Sequence, residues 1–312
     1  MRSRVLGTTG IQVSELGLGA WQLGEPSWNG PGEQESLRIV DEALTLGCTF
    51  VDTAPTYGGG RSEELLGQAL QGRRQRVVVC TKFGYWPDRS ADFSPERIQA
   101  SVQASLRRLR TDYLDVLLLH SPPDPTVLEA SAPHYVTLER LKSQGVVRAY
   151  GVSLTEDSSA ELERVLETTS QVVEVRFNVL HQEPLAGIEQ AATQGLGVIV
   201  KVPLESGWLS GRYRAASTFD DVRSRWTREE ITRRARLVQG FERILPEGTP
   251  PARGALQFVL AQSAVSTVAP GAKSIAQLRE NVAAADGSLP SKVVAAIRDL
   301  WEREVRDAPL AW

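Results

Sequence analysis

The sequence predicts an α/β protein, a closed (β/α)8 or TIM barrel with an N-terminal β-hairpin and extra helices near the C-terminus. Three observations predict it. Apolar, strand-like runs occur at 16–20, 49–52, 77–82, 114–120, 147–153, 172–175, 198–202 and 266–269, eight in all. Amphipathic helical patterns lie between them, and a parallel return from strand to strand needs such a crossover. Several runs end in reactive polar residues: Asp52 with Tyr57 five residues on, Lys82, and His120. In an α/β barrel that end of the strands carries the active site. Eight units favour closure over an open doubly wound sheet, which often has fewer strands.

Each element has a local reason. The opening segment 4–13 reads as a short hairpin around a Gly-Thr-Thr-Gly turn. Residues 34–46 place Leu37, Val40, Ala43 and Leu44 at helical spacing, and Gly47 suits the end of that helix. Ser94 and Pro95 fit the cap and first position of a second helix, with Ile98, Val102, Leu106 and Leu109 on one face. A third starts from Thr155 and runs to Leu166. The stretch from Leu204 to about Thr227 is long and rich in Gly, Ser and Arg, and a loop of that length in a compact domain is usually functional. A helix flanked by Ile244, another over 249–262 and an extra one over 290–305 complete the chain. No linker interrupts it, so 1–312 reads as one domain.

Composition narrows the function. The chain is 41% hydrophobic and 23% charged, ordinary for a soluble globular protein. A formal net charge of -3 provides no basic face for nucleic acid. The N-terminus lacks the apolar core of a signal peptide, and no run approaches the roughly 18 apolar residues that span a bilayer. A cytoplasmic location without membrane attachment is expected. Cys48 and Cys80 sit in or beside strand-like runs and read as buried free thiols. Three histidines and no Cys/His spacing argue against a metal site. His134 and His181 have no chemical partners in sequence and read as structural or surface residues.

Asp52, Tyr57, Lys82 and His120 each have an ordinary explanation alone: a turn cap, a loop phenol, a rim charge, a rim histidine. Four such groups at the ends of three strands point instead to proton transfer coupled to chemistry the side chains do not supply. In this order, with Asp52-Thr53-Ala54 before Tyr57, they resemble the catalytic tetrad of the aldo-keto reductases. The resemblance extends over nearly the whole chain. It includes Gly151-Val152-Ser153, the run from Pro203 through Leu204, Ser206 and Gly207 to Gly211, and the run from Pro270-Gly271 through Lys273 and Gln277 to Glu280-Asn281.

What the resemblance implies is reduction of an aldehyde or ketone by hydride from NADPH, with NADH as the alternative cofactor. Tyr57 would be the general acid, its pKa lowered by Lys82. Asp52 would hold Lys82, and His120 would orient the carbonyl. Ser153, with Glu174 and Asn178 nearby, would meet the nicotinamide carboxamide. Ala20, Trp21 and Asp52 would lie along the same end of the cofactor. Two positions depart from the family pattern: Leu154 stands where Asn is frequent, and Glu174 where Gln is usual. Arg176, two residues on and on the same strand face, would neutralise Glu174. Lys201 falls near a position where many members stack an aromatic ring on the nicotinamide, and its charge would disfavour the oxidised, cationic form. The loop from Leu204 to Arg212 would wrap the pyrophosphate. Gly271, Lys273, Gln277, Glu280 and Asn281 would meet the adenosine, with Lys273 suited to a 2′-phosphate. Ser274 and Gln277 also fit a helix capping box, which needs no cofactor.

Trp21, Tyr57, Trp86 and His120, with Trp28 a further candidate, would line a pocket for a small carbonyl or sugar substrate. Trp208, Trp226 and Trp301 read as packing residues. Alternatives remain: an NAD(P)-dependent sugar dehydrogenase of the same fold, a cofactor-holding regulatory subunit, or an unrelated barrel such as a phosphosugar isomerase.

Overall fold

The structure is a computed structural model that describes residues 1–155 and 158–311. A two-stranded antiparallel hairpin comes first, β1 (Ser3–Val5) and β2 (Gln12–Ser14). Its turn uses Gly7 and Gly10 at φ 55° and 74°, the left-handed region that glycine enters freely.

Eight parallel strands follow in chain order: β3 (Leu18–Gly19), β4 (Phe50–Asp52), β5 (Val78–Phe83), β6 (Leu114–His120), β7 (Val147–Ser153), β8 (Val172–Arg176), β9 (Gly197–Lys201) and β10 (Thr267–Val268). Each pairs with the next. Parallel bridges Leu16↔Val268 and Gly19↔Gly271 join first to last, so the barrel closes. The eight predicted runs are these eight strands.

Among the described residues ten helices surround them: α1 (Glu33–Thr45), α2 (Arg61–Ala69), α3 (Pro95–Leu109), α4 (His134–Ser143), α5 (Ser158–Leu166), α6 (Leu185–Thr193), α7 (Arg228–Ile244), α8 (Pro251–Leu260), α9 (Ile275–Val282) and α10 (Ser291–Glu304). Gly47, at φ 84°, follows the end of α1 as expected. Ser94 is the N-cap residue of α3, but its hydroxyl bonds Asp92 Oδ1 at 2.6 Å and no side-chain cap forms. The start of the helix expected from Thr155 includes residues outside those described. The long segment after β9 is not a plain loop, since it holds 3-10 turns at Glu205–Ser210 and Val222–Arg225.

The period-two alternation of strands divides the core in two. Outward residues pack against the helices and form the larger cluster. Inward residues, among them Phe50, Val78, Cys80, Val116, Leu118 and Ile199, fill the lower barrel. The hairpin closes the floor: Leu6, Ile11 and Val13 join the inward cluster, and Thr8 N–H donates to Gly195 O at 2.8 Å. Gly197 makes room for Leu6, because a side chain there would collide with it. Cys48 and Cys80 are free and buried.

Candidate active site

The same alternation decides what the upper rim contains. Cys80 and Lys82 share a face, as do Leu118 and His120, and Val172, Glu174 and Arg176. Pairing aligns these faces across strands, with Asp52 opposite Cys80, Lys82 opposite Leu118, His120 opposite Ser153 and Ser153 opposite Glu174. The apolar inward layers therefore give way at the C-terminal ends to a ring of Asp52, Lys82, His120, Ser153, Glu174 and Lys201.

Lys82, 1% exposed, is the hub of this ring. Its ammonium donates to Asp52 Oδ1, to Thr53 O at 3.1 Å and to Tyr57 Oη at 3.4 Å, while Glu174 Oε1 lies 3.5 Å away. Three N–H groups thus have three acceptors. Because the lysine donates to the phenol oxygen, the phenol proton is left to point elsewhere. Burial works against the ammonium, but Asp52 and Glu174 outweigh it and hold Lys82 well above its ordinary pKa. Burial and the neighbouring Glu174 push Asp52 up to about 7, with Lys82 pulling it back. Glu174 is itself held below the usual carboxylate range, because Lys82 and Lys201 overcome the effect of burial.

Tyr57 corrects a detail of the expectation. Burial pushes its pKa up; Lys82 lowers it, but less than burial and the two carboxylates raise it. The phenol therefore keeps its proton through the neutral range. Trp21 stacks on it with ring centroids 5.6 Å apart, and the His120 ring meets it edge-on at 6.1 Å. Burial, then the charges of Lys82 and Lys201, drive His120 far below its ordinary pKa, so the imidazole is neutral. Its Nδ1 is buried without a hydrogen-bond partner.

These groups sit at the base of a cavity of about 660 Å³, within the range of small-molecule and cofactor sites. Most predicted cofactor residues are on its wall, including Pro203, Leu204, Ser206, Gly207 and Arg212 from the segment after β9, and Gly271, Lys273, Gln277, Glu280 and Asn281 from the segment after β10. The walls suit a dinucleotide. Ser206 Oγ is buried and unpartnered, and Ser206 and Gly207 take φ 52° and 91°, left-handed backbone that makes a concave loop. Gln277 is partly committed to its own helix: Ser274 caps Gln277 N–H, and Gln277 Oε1 accepts from Lys273 N–H at 2.8 Å, one residue short of a true capping box.

Other predicted residues are placed off the wall. Ala20, Ser153 and Glu174 are fully buried, and Gly211 lies outside the lining. Lys201 reaches across Ser153, donating to its Oγ at 2.9 Å and to Leu154 O at 2.6 Å. Trp86 turns away to stack near the Arg97 guanidinium at 5.8 Å, and Tyr85 takes the wall, edge-on to His120 at 5.6 Å. Trp28 is on the wall. The expected neutralisation of Glu174 by Arg176 gives way to a different pairing. Arg176 lies one pleat nearer the rim and donates from Nη2 to both oxygens of Glu205, at 3.0 and 2.9 Å. Asn178 also serves Glu205, donating at 2.9 Å.

Three residues escaped the sequence reading. Glu25 is buried and accepts from Gly58 N–H at 2.8 Å and from Ser27, stapling the Trp28 turn to the Tyr57 turn. Tyr85, two residues past the end of β5, obeys the strand-end rule that singled out the others. Arg223 reaches back from the long segment to Tyr213 and Ser206 O, with its guanidinium 5.5 Å from the Trp28 ring. Its signal was the arginine-rich character of that segment. Among the described residues no cluster of metal-binding side chains occurs, and no helix is long and apolar enough to cross a membrane.

Comparison with known proteins agrees with this geometry. The sequence pattern of the aldo/keto reductase family matches residues 15–302. The chain is 30% identical to an NADH-specific methylglyoxal reductase of Escherichia coli, with 97% of this chain and 99% of that protein aligned. It is 33% identical to L-galactose dehydrogenase of Arabidopsis thaliana, over 90% and 87% respectively. Among solved structures, the holo form of an aldo-keto reductase from Bacillus halodurans superimposes with a TM-score of 0.79 at 32% identity, covering 96% of each chain. The chain belongs to the aldo/keto reductase family.

Proposed function

We propose that this protein reduces an aldehyde or ketone to an alcohol using NADPH, with Tyr57 as general acid. The observation that carries the reading is the phenol of Tyr57 held 3.4 Å from the Lys82 ammonium, protonated, at the base of a dinucleotide-sized cavity beside a neutral His120.

The nicotinamide, when bound, supplies the hydride. As negative charge grows on the substrate oxygen, Tyr57 gives up its phenolic proton to that oxygen, and the carbonyl becomes a hydroxyl. The phenolate left behind faces Lys82, whose positive charge stabilises it. Asp52 fixes the lysine. The neutral imidazole of His120 donates a hydrogen bond to the carbonyl oxygen and orients it. Trp21, Trp28 and Tyr85 shape an aromatic mouth for a small carbonyl or sugar. Lys273, half-buried on the cavity wall, supports NADPH through its charge, while similarity to an NADH-specific enzyme supports NADH.

A second reading, oxidation of a sugar hydroxyl by the same groups in reverse, rests on the similarity to L-galactose dehydrogenase. The test is absorbance at the nicotinamide band with NADPH and NADH against a panel of aldehydes, ketones and aldoses, and with the oxidised cofactors against sugars. Tyr57→Phe should fold and bind cofactor but lose turnover by about 100-fold or more, the span of general acid catalysis. Wild-type turnover in that variant would refute the acid role.

A further inference from the structure

The base of the cavity holds a charge arrangement that the reaction above does not use. Ser153 ends β7, and the next residue, Leu154, has a buried apolar side chain that donates nothing. The Leu154 carbonyl is already occupied by Ser121 Oγ at 3.0 Å and by Lys201 Nζ at 2.6 Å. A carboxamide bound here needs a donor for its oxygen. Lys201 is the donor in reach. It stands on the cavity wall, directs two N–H groups to Ser153 Oγ and Leu154 O, and has a third with no protein acceptor among the described residues. Behind it lies Glu174, fully buried and 3.5 Å from Lys82.

We propose that Lys201 donates to the nicotinamide carboxamide oxygen, and that Lys201 and Glu174 together set whether the oxidised or the reduced cofactor is held more tightly. This rests on the reading that the cavity takes a nicotinamide dinucleotide. Charge sets the preference. The base contains two carboxylates, Asp52 and Glu174, and two ammonium groups, Lys82 and Lys201, beside a neutral imidazole and a neutral phenol. Within it, Glu174 and Lys201 contribute one charge of each sign. The oxidised nicotinamide ring carries a positive charge that the reduced ring lacks. Removing one member of the Lys201/Glu174 pair leaves an uncompensated charge that only the oxidised form feels.

The test is equilibrium binding of NADP⁺ and NADPH, and of NAD⁺ and NADH, read by quenching of tryptophan fluorescence in the full-length protein. Lys201→Met should shift the ratio of affinities toward the oxidised form, and Glu174→Gln toward the reduced form. Each shift should be roughly tenfold or more, the order expected for one unit charge a few ångströms away in a partly buried site. The double variant should return to within about threefold of the wild-type ratio, since the two charges compensate. A merely structural role would weaken both forms alike. Glu174→Gln is isosteric and tests the sign even where Lys201→Met proves unstable. Wild-type ratios in both single variants, or shifts of the same sign, overturn the proposal. Wild-type protein that binds neither form overturns the cofactor reading itself, and the proposal with it.

Discussion

Lys82 shows how far a single side chain can be read before its surroundings are known. Its position at a strand end marks it, and the adjacency to Asp52 and Tyr57 is as expected. The direction of the phenol's pKa is not, because the sequence reports one neighbouring cation but not the burial and the two carboxylates that oppose it. His181 is a simpler case. Burial, with Arg176 nearby, lowers it from 6.5 to about 4. Below pH 6.5 the unfolded chain takes up a proton that the folded protein refuses, so stability present above 6.5 is lost as the pH falls toward 4. His120, shifted in the same direction, adds to this loss. Urea midpoints should fall from pH 7 to pH 4.5, and His181→Gln should fall less over that interval. An equal fall in both proteins would show that this imidazole does not contribute.

At the scale of elements, the segment after β9 carries most of the structure that periodicity could not report. Its turn at Glu205–Ser210 is built around a buried acid. Glu205 binds Arg176 and Asn178, and the buried Arg234 of α7 lies 3.8 Å from it. Arg234 in turn donates to the carbonyl of Ala311, which ties the C-terminal tail to the cavity wall. Glu205→Ala would strand two buried guanidinium groups. We expect a loss of about 3–5 kcal/mol, seen as a lower midpoint in thermal or chemical unfolding. Dinucleotide binding should weaken too, because Ser206 and Gly207 take their left-handed backbone from this turn. The helices α1 and α3 were legible from spacing and caps, whereas the longest, α7, was marked only by Ile244. The short α2, α4 and α6, of nine or ten residues, are marginal alone and persist by packing on the barrel.

Across the whole molecule, the barrel separates stability from chemistry. The hairpin and the inward apolar layers close the floor, and the charged ring occupies the rim. Leu6 is a floor residue of the hairpin, with no exposed surface, and packs against Gly197. Leu6→Ala should destabilise the protein by about 2–5 kcal/mol through the cavity it leaves. It should leave cofactor affinity and turnover in the folded protein unchanged, since the rim lies at the opposite end. A variant of full stability would show that the hairpin is not part of the core.

The sequence by itself determined the strand count, the parallel order, the closed barrel and the four rim residues. Those follow from eight short apolar runs alternating with helical patterns, which favour closure, and from the polar groups that several of the runs deliver at their ends. It also determined the family, because motifs in one order along nearly the whole chain restrict the choice. Only the tertiary structure decided which charge meets which. Glu174 faces Lys82 and Lys201, while Arg176 goes to Glu205, and Tyr85 replaces Trp86 on the wall. Spacing along one strand states which residues share a face. Partners across strands depend on register and on where distant loops return, and that information is distributed over the whole chain.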